Sequence, residues 1–593
     1  MASSHIRPVD GLADGKWMIW AVAGFFLLML AVRISDVFAG FIPGADDMMR
    51  LQQIRDMLGG QGWFSVDQSR LLTPEGGDMH WSRLPDLFIA GVILLTEPLI
   101  GQDAAEKLAI GVWPLVLLGA AFTFLRLILQ RLQINLAGQI FAIIFFATSA
   151  AIYNFWPGRI DHHGLVVVLT LGGLAAALSP GLSGRSAVIL AVCVTAMLSI
   201  ALEGLPYVAG LIAIMGLFWI VRGHREGVRL AVFGLALAVF ASLFYALDAP
   251  GLGPQRMVCD AYGTSHWAGL VAGGALLAGV GVFGGVFDTW WKRLIAGGLA
   301  GTVTLAIVIA VNPACLADPY AALPDTVRLF WLNMVGEAKP LSILLAEEPG
   351  RVVSVFGFLA AASVATGLMI YTAAPDQRLA RIGVALLLAL SILTTIWQIR
   401  GQSFSHLFAA IGAGWLVGAL FMQWREKGAA QPLLICALAA AALSPVSWDT
   451  LATRFPSQLP ESQNMACIDP DAYATLPTEP DMRIQAPIIL GVSVIARTPH
   501  SVFAGPYHRN MQGMERSNAV LIGPAGEAHQ RLLDMGATHL LYCKGLRETT
   551  RYGTLWPDGL AAQMNRDELP DWLEPADTLT ETEGKVRLYR VKP

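Results

Sequence analysis

Long apolar runs constrain this chain more than any other feature. Trp17–Phe38, Val228–Leu247, Leu294–Val311 and Val352–Ala373 each approach or exceed the ~20 residues a helix needs to cross a bilayer. In hydrocarbon every backbone polar group must be satisfied within the segment, so such runs become helices. Composition agrees: of 593 residues, 55% are hydrophobic and only 14% charged, against about a quarter charged in a soluble domain. The chain reads as a polytopic α-helical membrane protein. Its first run is too long for a signal-peptide core and lacks a small-residue cleavage site, so it reads as a retained span. A formal net charge of −4 gives no footprint for nucleic acid, and none is expected as a partner.

Lys/Arg bias orients the spans. Arg7 and Lys16 precede the first, which puts the N-terminus in the cytoplasm and the polar loop from Ala39 outside. Leu84–Gly101 decides the rest. If it crosses, the turn "RIDHHGL" faces the cytoplasm and Arg126/Arg131 face out; if it lies at the interface or re-enters, both reverse. The second choice puts "RGHREGVR", "DTWWKR", "PDQRLAR" and "REKG" inside. It gives about thirteen spans, among them Leu136–Phe155, Gly164–Leu178 and Ala187–Leu202, and a C-terminal tail outside. Residues 1–446 are the expected membrane domain, with outer loops at 39–104 and 312–350. Cys259, Cys315, Cys467 and Cys543 then all fall outside, where they either form two disulfides, Cys259–Cys315 and Cys467–Cys543, or stay as thiols. Localisation follows: an inner membrane, with the tail on its periplasmic or other extracytoplasmic side.

The tail, 447–593, is polar and has no span. "APIILGVSVIA", "SVFAG" and "KVRLYRV" read as strands, and "AGEAHQRLLDMGATHLLYC" as helix, Gly stop, strand. A small α/β domain is expected. "GPAGEA" lacks the spaced glycines of a nucleotide fingerprint.

This topology gathers ionisable residues at one face. In "GADDMMRLQQIRDML", Leu51, Ile54, Met57 and Leu58 share a helical face, with Asp46 and Asp47 at the helix start, where carboxylates suit the dipole. "GGDMHWSRL" brings His80 and Arg83; "RIDHH" brings Arg159, Asp161, His162 and His163. Glu203 sits in a tight outer turn, Glu337 in "MVGEAKPLS", and Arg400 at a span end. Carboxylates with an imidazole suit Mg²⁺ or Mn²⁺; a nearby arginine suits phosphate.

These motifs, in this order, resemble the C-type glycosyltransferase superfamily, most closely the oligosaccharyltransferase catalytic subunit in its bacterial and archaeal single-chain forms (PglB and AglB). "DDMMRLQQIRDM" is similar to the first-loop motif, with Asp46 and Arg55 at its spacing. "TPEGGDMHW" is similar to the Pro-x-Gly stretch, "RIDHHGL" to the archaeal Asp-x-His, "VGEAKPLS" to the motif whose Glu reaches the reaction centre, and "IRGQSFSHLFAAIGAG" to the span whose Arg binds donor phosphate. The resemblance implies Asp46, with Asp47 as its rival, and Glu337 as catalytic carboxylates. It implies Asp161, His163, Asp46 and Glu337 around a divalent cation, and Arg400 on the phosphate; Arg159, which has no counterpart in the family's motifs, is expected on the phosphate by its proximity, and His162, Glu203, His80 and Arg83 are expected nearby. The family's Trp-Trp-Asp motif, which reads the acceptor sequon, is reduced here to Trp448-Asp449.

The expected function is inverting, metal-assisted transfer of a sugar or glycan from a polyprenyl phosphate or pyrophosphate carrier. The acceptor is a glycan, lipid or protein hydroxyl on the outer face, among membrane lipids. His500, Tyr507, His508 and Arg509 of the tail are candidates to bind it. The alternative is a multispan transporter or lipid flippase. Such proteins keep charges near the bilayer midplane, whereas here the acids gather at one interface.

Overall fold

A computed structural model describes residues 16–179, 184–248, 256–318, 320–456, 465–474, 476, 482–576 and 586–593. Helix α1 (Lys16–Phe38) leads into α2 (Ala45–Leu58), which is buried from Asp47 to Ile54. Helices α3 (Leu84–Ile100) and α4 (Gln102–Arg131) then form an antiparallel pair about Gly101, with Phe88 stacked on Trp113 at 5.2 Å. Arg50 of α2 donates to Asp86 of α3 at 2.5 Å, both side chains being buried. The start of α4 lies beside the acidic turn, since Gly158 N–H donates to Ile110 O at 2.9 Å. Asp47 touches Ile160 and Asp161, so both acidic segments share one end of the bundle. Had α3 crossed the bundle, three crossings would separate them and they would lie at opposite ends.

The expected span Leu136–Phe155 is broken. Helix α5 (Leu136–Ala147) stops, and a 3₁₀ turn, Ala150–Phe155, follows. Ser149 makes the break: its Oγ donates to Phe146 O and accepts from Ala151 N–H, replacing helical backbone bonds. Helices α6 (His163–Ala177), α7 (Gly184–Ile200), α8 (Leu205–Arg222), α9 (Gly227–Leu247), α10 (Thr264–Val282) and α11 (Trp290–Val311) continue the bundle. Short α12 (Asp325–Phe330) and α13 (Leu341–Glu347) shape the second long loop. Helices α14 (Pro349–Tyr371), α15 (Pro375–Trp397), α16 (Gln402–Lys427), α17 (Ala430–Ala442) and α18 (Pro445–Ala452) complete the bundle. Among the described residues seven helical segments are long and apolar enough to cross a membrane, or eight with the bent α17–α18 pair. One of the seven is the continuous α8–α9 stretch, and the shorter α5, α6 and α7 pack among them. The chain is a multi-pass membrane protein.

Small residues let these helices approach closely, as they do where lipid offers no hydrophobic drive for association. A Cβ on Gly418 of α16 would lie 2.3 Å from Gly138 of α5, and one on Gly234 of α9 would lie 2.3 Å from Gly274 O of α10.

The tail begins with α19 (Met465–Ile468) and α20 (Asp471–Ala474) and carries a five-stranded sheet of order β2-β1-β3-β5-β4. Strands β1 (Arg483–Gln485), β2 (Ser501–Val502) and β3 (His539–Cys543) are parallel; β5 (Val586–Val591) runs antiparallel to β3 and to β4 (Leu573–Pro575). "APIILGVSVIA", expected as a strand, is instead helix α21 (Ile488–Arg497). Its first free N–H groups, on Ile488 and Ile489, donate to the buried Glu548 carboxylate at 2.7 and 3.1 Å, a cap supplied from 60 residues away. Helices α22 (Met511–Ile522), α23 (Ala525–Met535), α24 (Arg547–Leu555) and α25 (Leu560–Asn565) flank the sheet. As the sequence predicts, α23 ends at Gly536, whose φ is +67°. Both disulfides form, with Cα separations of 5.0 Å for Cys259–Cys315 and 6.1 Å for Cys467–Cys543.

The tail grips the first loop. Arg55 donates to Ala496 O at 2.7 Å and Arg70 to Thr498 O at 2.6 Å, while Val502 N–H donates to Arg70 O at 2.8 Å. Arg509 reaches Asp78 at 2.8 Å and Arg516 reaches Glu75 at 3.1 Å. These bonds close a roof over the end of the bundle that carries the acidic turns.

Candidate active site

Under that roof lies a cavity of about 820 Å³. Asp46, His80, Arg159, His162, His163, Glu203, Glu337 and Arg400 line it, with Asp260, Trp331, Tyr507, His508 and Glu548. Eight residues that the sequence picked from six separate segments therefore meet on one surface. Asp161 is buried against it, hydrogen-bonded to Arg159 and to the His163 backbone.

The two adjacent aspartates at the start of α2 have different environments. Asp46 faces the cavity. Asp47 is fully buried: its Oδ1 accepts from the N–H groups of Ile160 and Asp161 at 2.7 and 2.8 Å, and its Oδ2 from Arg159 Nη1 at 2.6 Å. Arg159 Nη2 donates to Asp161 Oδ2 at 2.5 Å. Arg159 is thus a brace between two carboxylates, which corrects its expected place as a free phosphate clamp. Asp47, with three bonds and no wall of the cavity, is a structural anchor rather than a rival to Asp46. Arg83 is also corrected: it is fully buried on Gln53 O, Gln61 and Ser65 O and does not reach the cavity.

His163 opens α6. Its Nδ1 lies 2.6 Å from Glu203 Oε1 and its Nε2 3.9 Å from Asp161 Oδ2. Glu203, in the 3₁₀ turn Leu202–Gly204 ahead of α8, places Oε1 3.8 Å from His162 Nε2 and Oε2 3.8 Å from Arg400 Nη1. Arg400 Nη2 lies 3.4 Å from Glu337 Oε1. Backbone bonds hold those two together: Arg400 N–H donates to Glu337 O at 2.9 Å, and Ile399 N–H to Lys339 O at 3.0 Å. The second long loop is thereby pinned to the turn that begins α16.

Charge is unevenly shared. Burial, then Glu337 and Asp161, raise Asp46 to about 6. Burial also opposes the charge on Asp161, but Arg159, His163 and His162 outweigh it and hold it well below the usual carboxylate range. For His163, Glu203 and Asp161 outweigh burial and raise it to about 10; burial and then His163 push His162 down to about 3. Glu203 falls to about 2 because His163 overcomes its burial.

Sequence reasoning missed Asp260. It accepts from Arg509 at 2.8 Å on each oxygen and contacts His508 Nε2 at 2.6 Å, and the His80 and His508 rings lie 4.5 Å apart. Asp260 follows the bridged Cys259, and that adjacency was the only signal available. Among the described residues two groups of three can hold a metal ion by ligand-atom spacing: His80, Asp260 and His508, and His162, His163 and Glu203. Trp448 and Asp449 line no part of the cavity. Trp448 packs on Gly357 of α14 and donates to Ala442 O at 2.9 Å, and Asp449 accepts from Ser354.

The bundle, its acidic first loop and the roofed cavity have the fold of the C-type glycosyltransferases, of the oligosaccharyltransferase kind. Archaeal oligosaccharyltransferase AglB from Archaeoglobus fulgidus, solved with an inhibitory peptide and a dolichol-phosphate, superposes with a TM-score of 0.67 at 13% identity, over 92% of this chain and 72% of that one. The A. fulgidus enzyme tethered to an acceptor peptide with an NVT sequon gives 0.62 at 12% identity, over 98% and 74%. The same enzyme with Zn and sulfate gives 0.59 at 14% identity, over 88% and 67%. No protein-family profile and no curated protein sequence matches the chain.

Proposed function

We propose that this protein is a membrane glycosyltransferase that moves a sugar or glycan from a polyprenyl phosphate or pyrophosphate carrier to an acceptor hydroxyl on the extracytoplasmic face. The observation that carries the reading is the convergence of Asp46, Asp161, His163, Glu337 and Arg400, from four distant segments, on one roofed cavity. In it the acceptor oxygen attacks the anomeric carbon as the carbon–oxygen bond to phosphate breaks. The leaving phosphate takes the bonding pair, and the anomeric centre inverts. Asp46, raised toward neutrality, orients the hydroxyl and takes its proton. Arg400 holds the phosphate through its guanidinium.

Asp46, Asp161, His163 and Glu337 would hold a divalent cation, Mg²⁺ or Mn²⁺. Three carboxylates and an imidazole are the donor types such a cation takes, Asp46, His163 and Glu337 line one cavity, and Glu337 and Asp161 both raise Asp46, negative charge that a cation relieves. When bound, the cation neutralises charge on the leaving phosphate. The Zn in one A. fulgidus structure and the dolichol-phosphate in another are compatible with a metal and a lipid phosphate at such a site.

About thirteen spans, an inner-membrane location and a periplasmic tail belong to the same reading, supported by the two disulfides on the roofed side. The domain limits 1–446 and 447–593 belong to it as well. The absence of a Trp-Trp-Asp motif, and the packing of Trp448 and Asp449 against α14, favour an acceptor other than a sequon asparagine. Turnover of a polyprenyl-linked sugar by purified protein tests the reading. Asp161→Ala abolishes turnover, and a variant as active as the wild type removes Asp161 from the mechanism.

A further inference from the structure

We propose that Glu203 is a positioning residue that ties the cation-holding imidazole of His163 to the phosphate-holding guanidinium of Arg400, an inference that rests on the cation and phosphate reading above. Glu203 belongs to none of the motifs on which the resemblance stands. It sits in a turn with little freedom. Gly204 N–H donates to Ala201 O at 3.1 Å, a Cβ on Gly204 would meet Met197 at 2.6 Å, and Pro206 fixes the first turn of α8. The carboxylate is therefore presented from a fixed support.

Its two oxygens do different things. Oε1 lies 2.6 Å from His163 Nδ1, a hydrogen-bond distance. That bond keeps the Nδ1 proton in place and turns the opposite nitrogen, Nε2, toward Asp161 Oδ2, 3.9 Å away. An imidazole ligates a metal through one nitrogen while the other donates to a carboxylate, which fixes its tautomer and ring plane. Oε2 lies 3.8 Å from Arg400 Nη1, an ion pair without a hydrogen bond. The other arm of that guanidinium, Nη2, lies 3.4 Å from Glu337 Oε1, so acids on both sides set its position. One carboxylate thus sets the geometry of both halves of the site.

A competing arrangement makes Glu203 a metal ligand itself, with His162 and His163, whose ligand atoms lie within 4.8 Å of one another. The 2.6 Å contact argues against it, because Oε1 and Nδ1 share a proton at that distance and leave no room for an ion between them.

The test is Mn²⁺ binding by calorimetry to the full chain in detergent, read beside the thermal midpoint of each variant. Wild type binds. Glu203→Ala weakens binding by about 10- to 100-fold, the usual effect of losing such a partner, and lowers the midpoint because it strands the His163 imidazole, so its affinity is read at a temperature where the variant is folded. Glu203→Gln, whose amide oxygen still accepts from Nδ1, recovers most of the loss. His162→Ala stays within about threefold of wild type, since His162 is no ligand on this reading. Equal affinity in Glu203→Ala overturns the positioning role alone. A loss in His162→Ala as large as in His163→Ala replaces it with the ligand cluster. A wild type that binds no Mn²⁺ overturns the cation reading and the Glu203 role with it.

Discussion

Replacing Arg159 with Met probes the centre of the architecture, because one guanidinium holds two buried acids. Its nitrogens lie 2.6 Å from Asp47 Oδ2 and 2.5 Å from Asp161 Oδ2, with side-chain exposures of 10%, 0% and 2%. At an effective dielectric of about 20, two charges ~4 Å apart interact by about 4 kcal/mol, so two such contacts offset much of the cost of burying three charges. Taking away the cation leaves two carboxylates facing each other. Breaking a buried pair from one side costs about 3–5 kcal/mol. The two backbone N–H bonds to Asp47 and the His163 N–H bond to Asp161 remain, so the loss stays in that range.

The sign of the pH dependence follows. In the wild type Asp161 is held below its ordinary value of about 3.9; its contribution is present above that pH and is lost as pH falls. Burial already raises Asp47 to about 7 in the wild type; in Arg159→Met both folded carboxylates move up from their wild-type values, so their stability is present at low pH and is lost as pH rises through the new values. Thermal unfolding in detergent at pH 5 and pH 8 reads this out. The gap between variant and wild type is expected to be wide at pH 8 and narrower at pH 5. A gap below about 1 kcal/mol, or one that widens at pH 5, refutes the reasoning.

Three further predictions use other parts of the fold. Gly44→Ala places a Cβ 2.3 Å from Asp47 Oδ2 and 2.5 Å from Arg159 Nη1; it lowers stability by about 1–3 kcal/mol and reduces turnover, and an unchanged thermal midpoint counts against the Asp47–Arg159 anchor. Gly418→Leu forces α5 and α16 apart where a Cβ already meets Gly138 at 2.3 Å; the expected result is loss of monodisperse protein on size-exclusion chromatography, and a normal profile contradicts the close crossing. Cys543→Ser opens the tail bridge, whose partners are 76 residues apart; the expected cost is about 2–4 kcal/mol, read as a lower thermal midpoint than the wild type under non-reducing conditions, and an unchanged midpoint contradicts it.

Much of the site was legible because its chemistry is local in sequence. "DDMM", "RIDHH" and "VGEAK" each put ionisable residues in short turns between apolar runs, and charge bias alone assigned them to one face. Their partners were not legible. Asp46 and Asp47 are neighbours on one helix start, and only the tertiary packing of Ile160 and Arg159 against Asp47 tells them apart. Asp260 acquires meaning from His508 and Arg509, almost 250 residues later. Two local readings failed for physical reasons. Leu136–Phe155 looks like one span by hydropathy, yet Ser149 diverts the backbone into a tighter turn. "APIILGVSVIA" is apolar without a period, so strand and helix fit it alike. The cap that decides for helix comes from Glu548.

The most direct test of the central claim is release of polyprenyl phosphate or pyrophosphate from a polyprenyl-linked sugar by purified protein stripped with chelator, before and after Mn²⁺ is returned, with Arg400→Ala alongside. The account predicts no release after chelation, recovery on adding the cation, and little recovery in Arg400→Ala. Full release by the stripped protein, or none from the untreated wild type with any such donor, contradicts it.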